Sequence, residues 1–138
     1  MIMTQFTGCI VKTMGVVVNR PIGITLSYDS DDNPIAIQML ISIPDEGEVA
    51  WYFARDLLIR GINSLTPVGQ GEVKLRYEKG TLLMCLKNNT GHADINLPHD
   101  IVAGFLELTL NKVPASGDEC PVEMIDEAIA EIFARAEE

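Results

Sequence analysis

Two adjacent charged residues, Arg55 and Asp56, interrupt the apolar stretch VAWYFARDLLIRG and are the first candidates for chemistry. An arginine and a carboxylate can form a catalytic pair or clamp a ligand. Neighbouring residues on a helix point about 100° apart, however, so these two side chains would not face each other. Because a carboxylate is favoured near a helix N-terminus and an arginine can reach acceptors on a neighbouring element, we predict a structural role for the pair.

The two histidines each have an aspartate nearby, Asp94 after His92 and Asp100 after His99. Such pairs serve catalysis or metal binding only when a nucleophile or further ligands complete the site. The sequence has no nucleophile-elbow motif and no pattern that supplies a third ligand. We therefore predict surface histidines at the start of a strand and of a helix, and expect no catalytic residue, no metal site and no cofactor.

The segment DSDDN places Asp29, Asp31 and Asn33 at the spacing that opens an EF-hand calcium loop. The sixth position of such a loop requires glycine and here is Pro34, and the twelfth requires glutamate and here is Leu40. A hairpin turn stabilised by Asx side chains is the prediction.

The net charge of −10 is concentrated at the C-terminal end, where residues 118–138 hold eight acidic residues and one basic residue. A field of this sign repels phosphate backbones, so nucleic acid is an unfavourable partner unless a local basic patch overcomes the repulsion. The best candidates for such a patch fall in one predicted hairpin region, and a solvated strand face is the alternative: Lys74, Arg76, Lys79 and Lys87.

The three cysteines, Cys9, Cys85 and Cys120, are widely spaced and form no CxxC motif. A disulfide framework or a zinc ribbon is therefore not expected. The N-terminal segment lacks a basic region and a long apolar run, so it predicts neither a signal peptide nor a membrane span. A reducing cytoplasm is the expected location.

Hydrophobic periodicity predicts a chain rich in antiparallel strands, with a short helix of about two turns that ends near Gly61. In the strand before that helix, Val49, Trp51 and Phe53 share one face, and we expect Trp51 and Phe53 to anchor the core. The first strand is expected to stop at Pro21. The predicted strands are residues 1–18, 24–28, 35–43, 49–53, 72–77, 81–87 and 92–97.

The C-terminal third predicts two helices. Pro98 suits the first turn of the first helix, whose apolar stripe is Ile101, Val102, Phe105, Leu106 and Thr109. The second runs from Val122 to Ala136 and has an acidic face that is either solvated or a partner surface, made of Glu123, Asp126, Glu127 and Glu131. We therefore predict one α+β domain over residues 1–138.

The string Val49-x-Trp51-x-Phe53-Ala54-Arg55-Asp56-Leu57-Leu58-x-x-Gly61 resembles the central signature of the SsgA-like family, the actinobacterial regulators of sporulation and cell division. The resemblance covers about residues 24–119. Its other matching elements, in chain order, are Leu26-x-Tyr28-Asp29, Pro34-x-Ala36, Gly69-x-Gly71-Glu72-Val73, Val102-x-x-Phe105-Leu106-x-x-Thr109 and Val113-Pro114.

The resemblance implies antiparallel β-sheets packed with a short central helix and two C-terminal helices, as in the whirly-type single-strand-binding proteins, and a homotrimer. It implies a regulator without catalysis that helps to place the FtsZ ring at septa, with FtsZ or other SsgA-like proteins as partners. The signature residues Trp51, Phe53, Arg55, Asp56, Leu57, Leu58 and Gly61 are then mainly structural. The whirly likeness also suggests an alternative, a single-stranded nucleic-acid-binding protein, which requires a basic groove with stacking aromatics.

Overall fold

The computed structural model describes residues 1–69 and 71–114. The chain divides into two units, Met1–Leu108 and Thr109–Glu138. The predicted second C-terminal helix, its acidic face and Cys120 lie outside the described residues. The described elements are β1 (Ile2–Thr13), β2 (Val16–Tyr28), β3 (Ala36–Ile43), β4 (Gly47–Ala54), α1 (Arg55–Gly61), β5 (Val73–Glu78), β6 (Thr81–Asn88), β7 (Gly91–Pro98) and α2 (His99–Lys112).

The described strands form one antiparallel seven-stranded sheet in the order β4-β3-β2-β1-β7-β6-β5. Strand β1 joins the halves, because it pairs with β2 along most of its length and with β7 through Cys9–Thr13. The prediction of antiparallel strands is confirmed, but the expectation of several sheets is wrong because β1 makes the sheet continuous. The predicted hairpins over 24–43 and 72–97 are present.

The predicted strand over residues 1–18 is interrupted by a hairpin turn in the structure, and the chain after that turn continues as one strand to Tyr28. The chain reverses at Met14 and Gly15, whose φ values of 52° and 83° are left-handed and suit a tight hairpin. The strand does not stop at Pro21, which lies inside β2 opposite Cys9. Strand β3 pairs with β2 only between Gly23 and Ser27, so Pro21 lies where its missing N–H costs no bond to β3.

The two faces of the sheet differ in composition. One face carries the core, because alternate residues of β2, β3, β5, β6 and β7 are apolar and buried. Its members include Ile22, Ile24, Leu26, Ile37, Met39, Leu75, Leu82, Met84, Ile95 and Leu97. The other, which we call the outer face, carries the alternate, more polar residues.

Helix α1 ends at Gly61, as predicted, but for a different reason. Gly61 has no left-handed φ, and the C-cap residue Ile62 is also right-handed, with φ of −63°. A Cβ added at Gly61 would lie 2.7 Å from Cγ of Leu75. Glycine is therefore required because α1 packs tightly against the core face of β5.

Helix α2 begins at His99, one residue later than predicted, because Pro98 still pairs with Thr81 in the sheet. The apolar stripe is largely confirmed, with four buried members spaced as on one helical face: Val102, Phe105, Leu106 and Thr109. Ile101 is exposed, since it precedes that face by one position.

Candidate functional site

The junction between β4 and α1 is built around Arg55. This side chain is fully buried, and its guanidinium lies 5.1 Å from the ring centroid of Tyr28. The backbone N–H of Arg55 donates to the carbonyl of Ile35 at 2.7 Å, and the Tyr28 hydroxyl donates to the carbonyl of Pro34 at 2.8 Å. Arginine, tyrosine and the chain entering β3 thus form one buried cluster.

The Asp56 side chain points away from that of Arg55, as the helical geometry predicts. It lies in the first turn of α1 and accepts a hydrogen bond from Nε of Arg60 at 2.8 Å, in an exposed pair four residues apart. Arg55 and Asp56 therefore do not form a joint site. Among the other signature residues, Phe53, Leu57, Leu58 and Gly61 are buried, whereas Trp51, on the edge strand β4, is only half-buried.

The tip of the β1–β2 hairpin exposes four apolar side chains within five consecutive residues. We call Met14, Val16, Val17 and Val18 the apolar hairpin tip; they are 61%, 62%, 63% and 42% exposed. The backbone N–H of Met14 donates to the carbonyl of His92 at 3.0 Å, which ties the tip to the start of β7. Contiguous exposed apolar residues of this kind mark contact sites for other molecules.

The outer face of β5, β6 and β7, together with residues of β1, β2 and the α1–β5 loop, lines a groove of about 530 Å³, and Val17 of the apolar hairpin tip is among the lining residues. Its cationic side chains are Lys12, Lys74 and Arg76, and the described lining contains no aromatic ring. Arg76 is paired with Glu78 at 2.7 Å. Of the predicted basic patch, Lys74 and Arg76 line the groove, Lys87 lies two residues beyond the groove-lining Cys85 on β6, and Lys79 lies in the β5–β6 turn.

Three side chains with metal-binding atoms meet on this outer face. Cys85 lies directly opposite Asp94 across β6 and β7, and His92 lies two residues before Asp94. One ligand atom from each of the three lies within 4.8 Å of the others, and His92 Nε2 is 3.4 Å from an Asp94 carboxylate oxygen. Sequence spacing alone did not reveal this cluster, which we call the Cys85 cluster.

Partial burial raises the pKa of the Cys85 thiol, and the hydrogen bond and negative charge of Asp94 raise it further. The positive charges of Lys74 and Lys87 act in the opposite direction. The thiol therefore keeps its proton more firmly than an ordinary cysteine. Since the thiolate is the reactive form, Cys85 is not activated as a nucleophile.

The second histidine has a structural environment. His99 starts α2, its ring is edge-on to Tyr77 at 4.8 Å, and its Nε2 lies 3.1 Å from the side-chain oxygen of Asn63. Its side chain is 19% exposed, so His99 lies at the helix start as predicted but is half-buried rather than fully exposed. The helix start packs on the ring of Tyr77, and this contact covers the imidazole.

The turn at residues 29–35 is confirmed as an Asx turn. A carboxylate oxygen of Asp29 accepts from the backbone N–H groups of Asp31 and Asp32, and the side-chain oxygen of Asn33 accepts from those of Ile35 and Ala36. The Asp29 and Asn33 side chains thus accept hydrogen bonds from the backbone of the turn.

Across the described ranges, no helix is long and apolar enough to cross a membrane.

Two solved structures share this fold. The chain superposes on SsgB, in a structure described in connection with longitudinal cell division during sporulation of Streptomyces coelicolor, with a TM-score of 0.73 and 27% identity over 87% of this chain and 93% of that one. It superposes on an SsgA-like sporulation-specific cell division protein of Thermobifida fusca with a TM-score of 0.66 and 28% identity, covering 86% and 88%. The fold is therefore that of the SsgA-like cell division proteins.

The sequence leads to the same family. The model of the family described as Streptomyces sporulation and cell division protein, SsgA, matches residues 22–119. A sporulation-specific cell division protein of Frankia casuarinae is 38% identical over 95 residues, which cover 66% of this chain and 63% of that relative, just under two thirds. SsgB of Streptomyces coelicolor is 28% identical over 84% of this chain and 85% of its own length. The protein belongs to the SsgA family.

Proposed function

We propose that this protein is a non-catalytic regulator of cell division and sporulation that helps to localise the FtsZ ring at septa through protein–protein contacts. Relatives named as sporulation-specific cell division proteins support the division role. The partners under this proposal are FtsZ or other SsgA-like proteins. The protein works in the cytoplasm and is recruited to septa when it acts.

The observation that carries the proposed mode of action is the apolar hairpin tip. Four apolar side chains in one tight hairpin are exposed to water, although burial of each would be favourable by roughly 1–2 kcal/mol. The buried core of the sheet is made of other residues, so these four side chains are not part of it. Their exposure favours a surface that another protein covers.

A double substitution, Val16→Ser with Val17→Ser, tests this contact. Both side chains are exposed, so the free energy of unfolding should change by no more than about 1 kcal/mol, while binding to purified FtsZ or SsgA-like partners from the same host should weaken at least about tenfold. Fluorescently tagged protein should also lose its septal position. Binding is measured by surface plasmon resonance on the full chain.

The matched control is Leu65→Ser, which removes an exposed apolar side chain in the α1–β5 loop, away from the hairpin sequence. It should bind and localise like the wild type. If wild-type protein is never found at septa, the division role fails; if the double variant binds and localises normally, only the hairpin contact fails.

The proposal includes a whirly-type arrangement, a homotrimer and a single functional domain over residues 1–138. The acidic residues Glu123, Asp126, Glu127 and Glu131 remain a candidate second partner surface. Light scattering on the full chain and on the hairpin double variant separates self-association from partner binding. A trimer that persists in a variant unable to bind FtsZ would assign the tip to the partner, whereas loss of the trimer would assign it to the oligomer.

Single-stranded nucleic acid is a second candidate ligand, favoured by the cationic side chains Lys12, Lys74 and Arg76 in the outer-face groove. Against it stand the net charge, the ion pair of Arg76 and the lack of aromatic rings among the described lining residues. Titration of labelled single-stranded DNA at low salt decides this. Micromolar, salt-sensitive binding that Lys74→Ala weakens would support the nucleic-acid candidate over the protein-contact proposal.

A further inference from the structure

We propose that Cys85, His92 and Asp94 form a binding site for a thiophilic divalent metal ion, with Zn²⁺ as the best match, on the outer face of β6 and β7. This proposal does not rest on the proposed division contacts, although Val17 of the apolar hairpin tip lines the same groove as Cys85 and Asp94. The ligands come from two adjacent strands of one hairpin, and their donor atoms already lie within 4.8 Å of one another.

The hairpin fixes these three positions without help from distant parts of the chain. Residues 88 and 91 pair at the turn, so 87 pairs with 92 and 85 with 94. Directly opposite residues on one face have Cβ atoms about 5 Å apart, and diagonal ones about 7–8 Å, distances that a cysteine, a histidine and an aspartate can close around an ion. The Asn88 side chain accepts from Thr90 and Gly91 backbone N–H groups, which holds the turn.

The donor set selects the metal. Thiolate, imidazole and carboxylate together suit Zn²⁺, which binds sulfur at about 2.3 Å and nitrogen or oxygen at about 2.0–2.2 Å. Ca²⁺ and Mg²⁺ prefer sites made of oxygen alone. Three protein ligands would leave a fourth position for water or an external ligand. Cys85 and Asp94 both line the groove.

The surrounding charges act on a bound cation in both directions. The groups near the thiol are Asp94 and His92 on β7, Lys74 on β5 and Lys87 on β6, while Lys12 on β1 pairs in register with Asp94. The positive charges of the lysines oppose a cation and the negative charge of Asp94 favours it. Binding also releases the thiol proton.

Full-length protein, freed of metal with a chelator, should be titrated with Zn²⁺ by calorimetry and with Co²⁺ by absorbance. Binding of one ion per chain should produce the near-ultraviolet thiolate-to-cobalt band and the visible spectrum of tetrahedral Co²⁺. Cys85→Ser should abolish the thiolate band, and His92→Gln and Asp94→Asn should each weaken Zn²⁺ binding at least about tenfold, because even outer-shell changes cost 10- to 100-fold.

The chain offers matched controls. Cys9→Ser removes a half-buried thiol, and His99→Gln removes the histidine of a His–Asp pair that has no cysteine in its described surroundings. Cys120→Ser tests the cysteine outside the described residues. All three should leave the cobalt spectrum and the Zn²⁺ affinity unchanged, and thermal melting in chelator verifies that every variant is folded.

Absence of a thiolate band in folded wild-type protein overturns the proposal. So does a band that Cys120→Ser abolishes and Cys85→Ser leaves intact. The proposal also fails if neither His92→Gln nor Asp94→Asn weakens Zn²⁺ binding, because the ion then has other ligands.

Discussion

The β4–α1 junction and the outer face of β6–β7 both contain charged side chains next to apolar ones, but the two regions use them differently. At the junction Arg55 is fully buried on the ring of Tyr28, and the backbone around it is hydrogen-bonded. In the Cys85 cluster all three side chains are half-buried, Cys85 and Asp94 line a groove, and the three donor atoms lie within 4.8 Å of one another. The charged side chain at the junction is buried in contacts within the protein, whereas the side chains of the Cys85 cluster are open to a ligand.

The residues that identify the family are therefore different from the residues that can bind a ligand. The resemblance depends most on the junction, where replacement of a buried side chain would disturb the core. The Cys85 cluster contributes nothing to that signature, yet it places three metal-binding donors together. The signature residues of the junction therefore indicate core packing, and the candidate ligand site lies on the outer face of the sheet.

The largest effect should come from Arg55→Ala. The substitution removes the stacking contact with Tyr28 and leaves a cavity in the core, so we expect the free energy of unfolding to fall by about 3 kcal/mol. Urea denaturation monitored by fluorescence of the single tryptophan, Trp51, measures the change.

Asp56→Asn is the matched control for Arg55→Ala, since it changes the adjacent charge but affects only an exposed pair and the helix dipole. It should cost less than about 1 kcal/mol. If the two variants lose the same free energy of unfolding, Arg55 is not the buried member and Asp56 the exposed member of this adjacent pair.

The next largest effect should come from Gly61→Ala. The new methyl group would lie 2.7 Å from Cγ and 2.9 Å from Cδ1 of the buried Leu75, and overpacking of this kind costs about 1–3 kcal/mol. Improved helix propensity offsets part of that cost. We expect a net loss of about 1 kcal/mol in urea denaturation.

Gly104→Ala, in α2, isolates the propensity effect, because no described atom lies within 4 Å of the new methyl position. It should stabilise the protein by up to about 1 kcal/mol. If Gly61→Ala is as stabilising as Gly104→Ala, the close packing of α1 on β5 is not what requires glycine there.

Much of the junction could be predicted from the sequence because its signals are local. Alternation in β4, the change of period at Arg55 and the glycine at Gly61 correctly placed a strand followed by a short helix. The full burial of Arg55 could not be predicted, since its partner Tyr28 comes from a strand 27 positions earlier. The N-terminal hairpin was missed because Met14 supplies a left-handed φ that its residue type does not favour.

The Cys85 cluster could not be predicted from local sequence patterns, because it also depends on the strand register. In the sequence no spacing motif links its three residues, and His92 with Asp94 has no evident third ligand. Cys85 becomes that ligand only when the register of the β6–β7 hairpin is known. The segment Asn88-Asn89-Thr90-Gly91 could have given the register, because a two-residue turn there places 85 opposite 94.

The smallest effect concerns the pH dependence of stability, in metal-free protein. The pKa of Cys85 is raised in the folded state above its ordinary value of 9.0, mainly by burial and then by Asp94, against the opposing charges of Lys74 and Lys87. Between that value and the raised folded pKa, the native state retains a proton that the unfolded state loses. The stabilisation due to the protonated thiol is therefore complete below pH 9 and declines as the pH rises beyond it.

Urea denaturation between pH 7 and 10, in the presence of a chelator, checks this decline. Stability of the wild type minus that of Cys85→Ser should fall above pH 9, and subtraction of the serine variant cancels the titration of other groups. Cys9→Ser controls for the loss of a half-buried thiol as such. A difference that stays flat or rises with pH would mean that burial and Asp94 do not hold the proton on Cys85.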